Sequence, residues 1–513
     1  MSLNNSLRTA SFPLAILLTW GANVHASPAK PTAEISKVMS TLYERGQFNG
    51  AILVAKGGQI VYRNAFGKAN LQTGADFTPQ TPSDVGSVTK QFTAMAIMML
   101  AGRNELNYDD PAAKYIPEFS RSAHFREMTL RNLLTHTSGI PDYGDLGIDD
   151  SGLEPKGLIA ALLKKEDLLV NPGLKYRYSN PGYALLAVVV ERVSGKSFGM
   201  FLGQEIFKPL GMSDTFLYDS RGKKDARAAV GYDQFGQVDD ASTTAIPGDG
   251  GIYSSVNDLF KWDQSLYTDK LVPQPALTEA FTPGTVEEGT SAYGFGWNVR
   301  QDGNDKYVWH TGNQAGFRAF IERRLRERLT VIMLTNRGNS KRQEINTAIQ
   351  NILAGKSYVL PERSGAEELY KAIHASGIRA ALNKYDTLKN GSEYDLGESE
   401  LNTLGYQLLY GDNKAGNAIA IFELNATVHP KSSNAFDSLG EAYRVNRETN
   451  LAINCYKEAV SLDPTNGHAA VMLKELELAR AGWVAILMAC VLGALILAAI
   501  LLRRQARAYR RNG

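Results

Sequence analysis

The rhythm of apolar and polar positions changes along this chain, and each rhythm predicts an element. Residues 33–45 read as a helix, and the following stretch "NGAILVAKGGQIVYRNAFG" holds two β-rich runs around Gly57 and Gly58, the pattern of a hairpin. Further on, Phe92, Met95, Ala96, Ile97, Met98, Met99 and Leu100 make a segment apolar all round, which predicts a buried helix. Helical and loop patterns continue to about residue 290. Then "YVWH", "FRAFIERR" and "LTVIMLTNR" read as three closely spaced strands, and residues 343–353 as a closing helix. Strands at both ends with helices between them predict one antiparallel sheet built from the two ends of a domain, an α+β arrangement without repeated βαβ units. That domain spans residues 33–353. A Gly-, Ser- and Pro-containing linker at 354–365 follows, and the pattern over 366–480 is wholly helical.

Within 433–466 the residues Phe436, Leu439, Gly440, Tyr443, Ala452, Tyr456, Ala459 and Pro464 resemble a tetratricopeptide repeat, with small residues where two helices touch and bulky ones between. A looser copy precedes it (Leu404, Gly405, Ala418, Phe422, Pro430), Pro430 lying 34 residues before Pro464. Roughly three such repeats are needed for independent stability, so two imply support from the helical stretch 367–389 or from the preceding domain.

The two ends change the picture again. Arg8, the apolar run 12–20 and the small residues Val24 and Ala26 predict a signal peptide over 1–26, too short in its apolar part to span a bilayer. Residues 481–502 are uncharged, long enough as a helix for about 30 Å of hydrocarbon. Arg503, Arg504, Arg507, Arg510 and Arg511 follow at once, so the tail 503–513 is expected on the cytoplasmic side and everything before it outside. The expected product is a single-pass inner-membrane protein with a periplasmic or extracellular domain.

With 513 residues, 44% hydrophobic and 21% charged, the chain has the composition of two or three folded domains. A formal net charge of +2 argues against a nucleic-acid partner held by bulk electrostatics. Cys455 and Cys490 are the only cysteines, which excludes a disulfide framework, and the seven histidines show no metal-ligand spacing; no metal and no cofactor are expected.

The candidate chemistry starts at "GSVTK". Serine needs a base within reach to act as a nucleophile, and Ser87 and Lys90, three apart at a helix start, share a face. Ser-x-x-Lys occurs twice more, at Ser27 and Ser220, so the pattern alone selects nothing. Burying Lys90 in an apolar helix without a function is costly, however, and burial lowers its pKa toward that of a base. Two further pieces follow in order: Tyr178-Ser179-Asn180 in "KYRYSNPGY", and His310-Thr311-Gly312 at a strand end, the one HTG in the chain.

Together the three resemble the serine β-lactamase and penicillin-binding-protein superfamily, and the Tyr-x-Asn form resembles its class C β-lactamase-like branch. Flanking segments such as "LRNLLTHTSGIPDY", "GDGGIYSSVNDLFKW" and "YGFGWNV" extend the likeness over about residues 35–353. The resemblance implies a β-lactamase/transpeptidase-like fold in which Ser87 is acylated, Lys90 assists its deprotonation, and Tyr178, held near phenolate, relays protons. It further implies that Asn180 binds substrate and Lys90, that His310, Thr311 and Gly312 line the substrate site, and that the backbone N–H groups of Ser87 and Asn313 form the oxyanion hole. One departure stands out. Class C enzymes carry lysine where this chain has His310, and a histidine mostly neutral at pH 7 does not replace a permanent cation. That favours esters, amides or D-amino-acid peptides over β-lactams.

Two rivals remain open on sequence. "GKSFG" places Ser197 in a G-x-S-x-G frame, although the run before it extends to helical length. A membrane-tethered sensor or scaffold, binding a cell-wall ligand through the domain and a protein partner through the repeats with little turnover, is the other.

Overall fold

The computed structural model describes residues 31–481, apart from 149–152, 167–168, 219–224, 240–246, 287–288 and 291, together with a few positions between 491 and 498. The expected signal peptide and nearly all of the expected membrane span lie outside the described residues. Among the described residues no helix is long and apolar enough to cross a membrane. The chain forms two compact units.

The first unit is organised by one sheet. Helix α1 (Pro31–Glu44) leads into β1 (Gly50–Lys56) and β2 (Gln59–Phe66), the predicted hairpin. After a long helical excursion the chain returns as β3 (Asn298–Asp302), β4 (Asp305–Gln314), β5 (Phe317–Arg324) and β6 (Leu329–Thr335). The strand order is β3-β4-β5-β6-β1-β2, antiparallel throughout, so the two ends of the domain meet at the β6–β1 pair. The period of two along β1 divides its side chains between two cores. Ile52 and Val54 join Ile35, Met39, Val331 and Met333 on one face. Ala51, Leu53 and Ala55 join the larger core on the other.

That larger core is the excursion: α2 (Thr89–Gly102), α3 (Leu130–Leu134), α4 (Asn180–Ser194) and α5 (Val256–Ser265). Every residue from Thr89 to Leu100 in α2 is buried, as its all-round apolar pattern predicts. Helix α4 starts where Ser179 caps the Gly182 N–H at 3.2 Å and ends at Gly195 in the left-handed region. Helix α5 is tied to the sheet by a fully buried ion pair: Arg323 Nε donates to Asp263 Oδ1 at 2.6 Å, and the Thr330 hydroxyl donates to the same oxygen at 2.9 Å. The closing helix α6 (Arg342–Leu353) packs Ile345 and Ile349 beside α1.

The second unit is helical: α7 (Gly365–Ser376), α8 (Ile378–Leu388), α9 (Glu398–Tyr406), α10 (Ala415–Val428), α11 (Ser433–Val445) and α12 (Thr449–Leu462). In the α9–α10 pair Gly405 lies against the Phe422 ring, and in α11–α12 Gly440 lies against the Tyr456 ring, each pair using a small residue where the helices approach. Two other segments, Gly231–Asp240 and Arg337–Asn339, also belong to this unit. Phe235 lies on Tyr370, ring centroids 4.5 Å apart, and Arg337 pairs with Glu367 at 2.7 Å.

Candidate active site

Ser87 sits in a 3-10 turn, Gly86–Val88, that runs directly into α2. One turn on, Lys90 is fully buried and its Nζ has three partners: Ser87 Oγ at 3.0 Å, Asn180 Oδ1 at 2.7 Å and the Asp249 carbonyl at 2.8 Å. Burial lowers the Lys90 pKa to about 8, against the opposing pull of the Asp249 and Asp142 carboxylates. The conditions for a lysine base are met: a proton acceptor near working pH within hydrogen-bond reach of a serine hydroxyl.

Asn180, the first residue of α4, is oriented by Asp142. Its backbone N–H and its Nδ2 both donate to that carboxylate, at 3.1 and 3.0 Å, which turns Oδ1 toward the lysine. The Tyr178 side chain lies beside Ser87, whose hydroxyl lowers the phenol's pKa, and Lys90 Nζ lies 5.0 Å from the centre of its ring. The resemblance implies a tyrosine held near phenolate; in this structure burial drives the Tyr178 pKa above its ordinary value, more than the Ser87 hydroxyl lowers it. The resting group is a protonated phenol.

The third segment arrives on β4. Gly86 adopts φ +50, and a Cβ there would come within 2.8 Å of the Asn313 nitrogen; a Cβ on Gly312 would reach 1.9 Å from the Val85 carbonyl oxygen. Two glycines thus let β4 press against the serine turn and bring the Asn313 N–H beside it. Arg342 at the start of α6 holds this strand end from behind, donating to the Gly312 and Ala319 carbonyls at 2.6 and 2.7 Å and to Asn313 Oδ1 at 2.8 Å. Gly312→Ala is expected to lower ester turnover on the order of 100-fold by displacing the strand about 1 Å; turnover within a few-fold of wild type would show that the close approach is not needed.

His310 is buried. The Thr311 carbonyl, 2.6 Å away, can only accept, so Nδ1 carries the proton and Nε2 accepts the Tyr293 hydroxyl at 2.8 Å. Burial, then the nearby Lys90 charge, lowers the His310 pKa to about 3. His310 is neutral across the physiological range.

The structure therefore gathers Ser87, Lys90, Tyr178, Asn180, His310, Gly312 and Asn313 around one point, with Thr311 between His310 and Gly312 on the same strand. Ser197 plays another part. It caps a short helix by accepting the Met200 N–H at 3.4 Å. Ser27 and Ser220 lie outside the described residues. Asp142, Asp249 and Arg342 carried no motif signal of their own, although "SGIPDY" and "GDGGIY" lie in segments that resemble the family.

Fold and site together define a class, and comparison with known proteins agrees. The Beta-lactamase family pattern matches residues 35–354, and the chain belongs to that family. A penicillin-binding protein of Bacillus subtilis is 34% identical over 379 residues, covering 68% of this chain and 82% of its own. A D-aminopeptidase of Brucella anthropi is 28% identical over 322 residues, covering 60% of this chain and 59% of its own length. Among solved structures, an octameric penicillin-binding protein homologue from Pyrococcus abyssi aligns with a TM-score of 0.57 at 28% identity, over 67% of this chain and 81% of the other.

Proposed function

We propose that this protein is a serine hydrolase that works through an acyl-enzyme on Ser87 and acts on an ester, an amide or a D-amino-acid peptide. The observation that carries the reading is the buried Lys90 ammonium nitrogen, 3.0 Å from Ser87 Oγ, with its pKa lowered to about 8. Neutral Lys90 takes the Ser87 proton as Oγ bonds to the substrate carbonyl carbon. The oxyanion that forms is met by the Ser87 and Asn313 N–H groups. The Tyr178 phenol donates its proton to the leaving group as the carbonyl carbon–leaving group bond breaks, and regains one from Lys90. Water then attacks the ester by the same route in reverse, giving its proton back to Ser87.

The neutral His310 offers no cation to a substrate carboxylate, which argues against efficient β-lactam hydrolysis and for substrates held by other contacts. The D-aminopeptidase relative agrees with a substrate containing a D-residue. The same proposal carries the setting: a signal peptide over 1–26, an anchor over 481–502, the hydrolase outside the cytoplasm, and tetratricopeptide-like helices over 366–480 that bind a protein partner or act as a spacer.

Comparing p-nitrophenyl esters, D-alanyl peptides and nitrocefin tests the substrate reading; nitrocefin turned over fastest would contradict it. The pH profile tests the base. Lys90 must lose its proton to accept one, so kcat/KM is expected to rise through a midpoint near 8. A rate independent of pH between 6 and 9 on the same ester would exclude Lys90 as the group that titrates.

A further inference from the structure

His136 lies at the end of α3 and takes no part in the steps above. Two features make it an expensive residue for its place. Its backbone is left-handed, φ +55, where glycine or asparagine sits at lower cost. It is also fully buried, and its Nε2 has no hydrogen-bond partner among the described residues. A strained backbone and an unmatched buried polar atom at one residue point to a role that outweighs both.

The contacts say what that role is. His136 Nδ1 accepts the Ser179 backbone N–H at 3.1 Å, which makes Nε2 the protonated nitrogen. Ser179 stands between Tyr178 and Asn180, the two residues of its segment that face Lys90 and Ser87. The imidazole ring itself lies against Tyr178, ring centroids 4.2 Å apart and planes at 37°, on a wall that continues to Tyr293 at 4.5 Å. The His136 carbonyl accepts the Arg177 N–H at 2.8 Å, so the histidine also holds the residue before Tyr178.

We propose that His136 is the positioning residue for the Tyr178-Ser179-Asn180 segment, holding its backbone through the Nδ1 lone pair. It touches no reacting atom. The proposal rests on the Ser87–Lys90–Tyr178 reading, and burial keeps the imidazole neutral beside the Lys90 charge, as the acceptor role requires.

Two variants separate positioning from packing, because both suit a left-handed backbone. His136→Gly removes the acceptor and the ring. His136→Asn keeps an acceptor, Oδ1, in the place of Nδ1 and removes only the ring. With the full chain and p-nitrophenyl acetate, His136→Gly is expected to lose about 100-fold in kcat with KM little changed, and to move the midpoint of the pH profile. His136→Asn should return to within about tenfold of wild type with the wild-type midpoint. A glycine variant with wild-type kcat and midpoint would overturn the proposal, as would a folded asparagine variant as slow as glycine. Should the glycine variant not fold, the asparagine variant decides by its midpoint, unchanged if the acceptor positions the segment and moved if it does not. Ser87→Ala runs beside them: turnover surviving there would sink the mechanism itself, whereas loss there with no effect at His136 sinks only this inference.

Discussion

Ser87→Ala will lose at least about 10⁴-fold in ester turnover, and Lys90→Met nearly as much, while both variants together will be little worse than either alone. Groups that act as one unit are not additive. Without Oγ there is no atom to acylate; without the Lys90 amine, the group that takes the Ser87 proton in this mechanism is gone. Lys90→Met suits the test because it keeps the length of the side chain; it also leaves Asn180 Oδ1 and the Asp249 carbonyl without their donor, so stability is measured beside activity. The measurement is kcat on p-nitrophenyl acetate for both single variants and the double variant, with thermal unfolding recorded for each. Fully additive losses would mean that serine and lysine serve separate steps.

A second large effect is expected far from the chemistry. Asp263→Ala should destabilise the first unit by about 3–5 kcal/mol, because it leaves the Arg323 guanidinium charged and enclosed. That guanidinium has no exposed surface, and its Nε contact to Asp263 joins α5 to β5, with Thr330 on β6 sharing the same carboxylate. The Tyr267 ring, 4.5 Å from the guanidinium carbon, compensates only part of the lost charge. Replacing both partners, Asp263→Leu with Arg323→Met, should cost far less than the single change, since no charge is then buried alone. Urea unfolding of the three variants checks this. A single variant as stable as the double one would show that the pair contributes little.

The sequence made the sheet and the candidate site legible for different reasons. Strands such as "GAILVAK" and "LTVIMLT" carry their own signal, because β-rich composition is a local property and the period of two places their residues on two faces. The site was legible because Ser87, Tyr178 and His310 each sit in a short motif, and the order of the three narrows what each motif leaves open. Lys90 was the one residue whose role followed from burial as well as pattern. What stayed hidden acts through groups that any residue type can supply or through distant partners. Asp249 meets Lys90 by its backbone carbonyl, which leaves no mark on its identity. Arg342 reads as an ordinary helix-start residue until its guanidinium is seen on the carbonyls of β4 and β5. The protonated state of Tyr178 depends on how much water the fold removes, which no motif encodes. Likewise the segment Gly231–Asp240 belongs to the helical unit although nothing in its composition says which core it joins.

The central claim is a covalent one, that Ser87 is acylated with Lys90 as its base. Its most direct measurement is peptide mass spectrometry after brief treatment with a fluorophosphonate probe at several pH values. The account predicts a single adduct on the peptide carrying Ser87, formed faster as pH rises through about 8 and absent in Lys90→Met. An adduct on the Ser197 peptide, or undiminished labelling of Ser87 without Lys90, would contradict it.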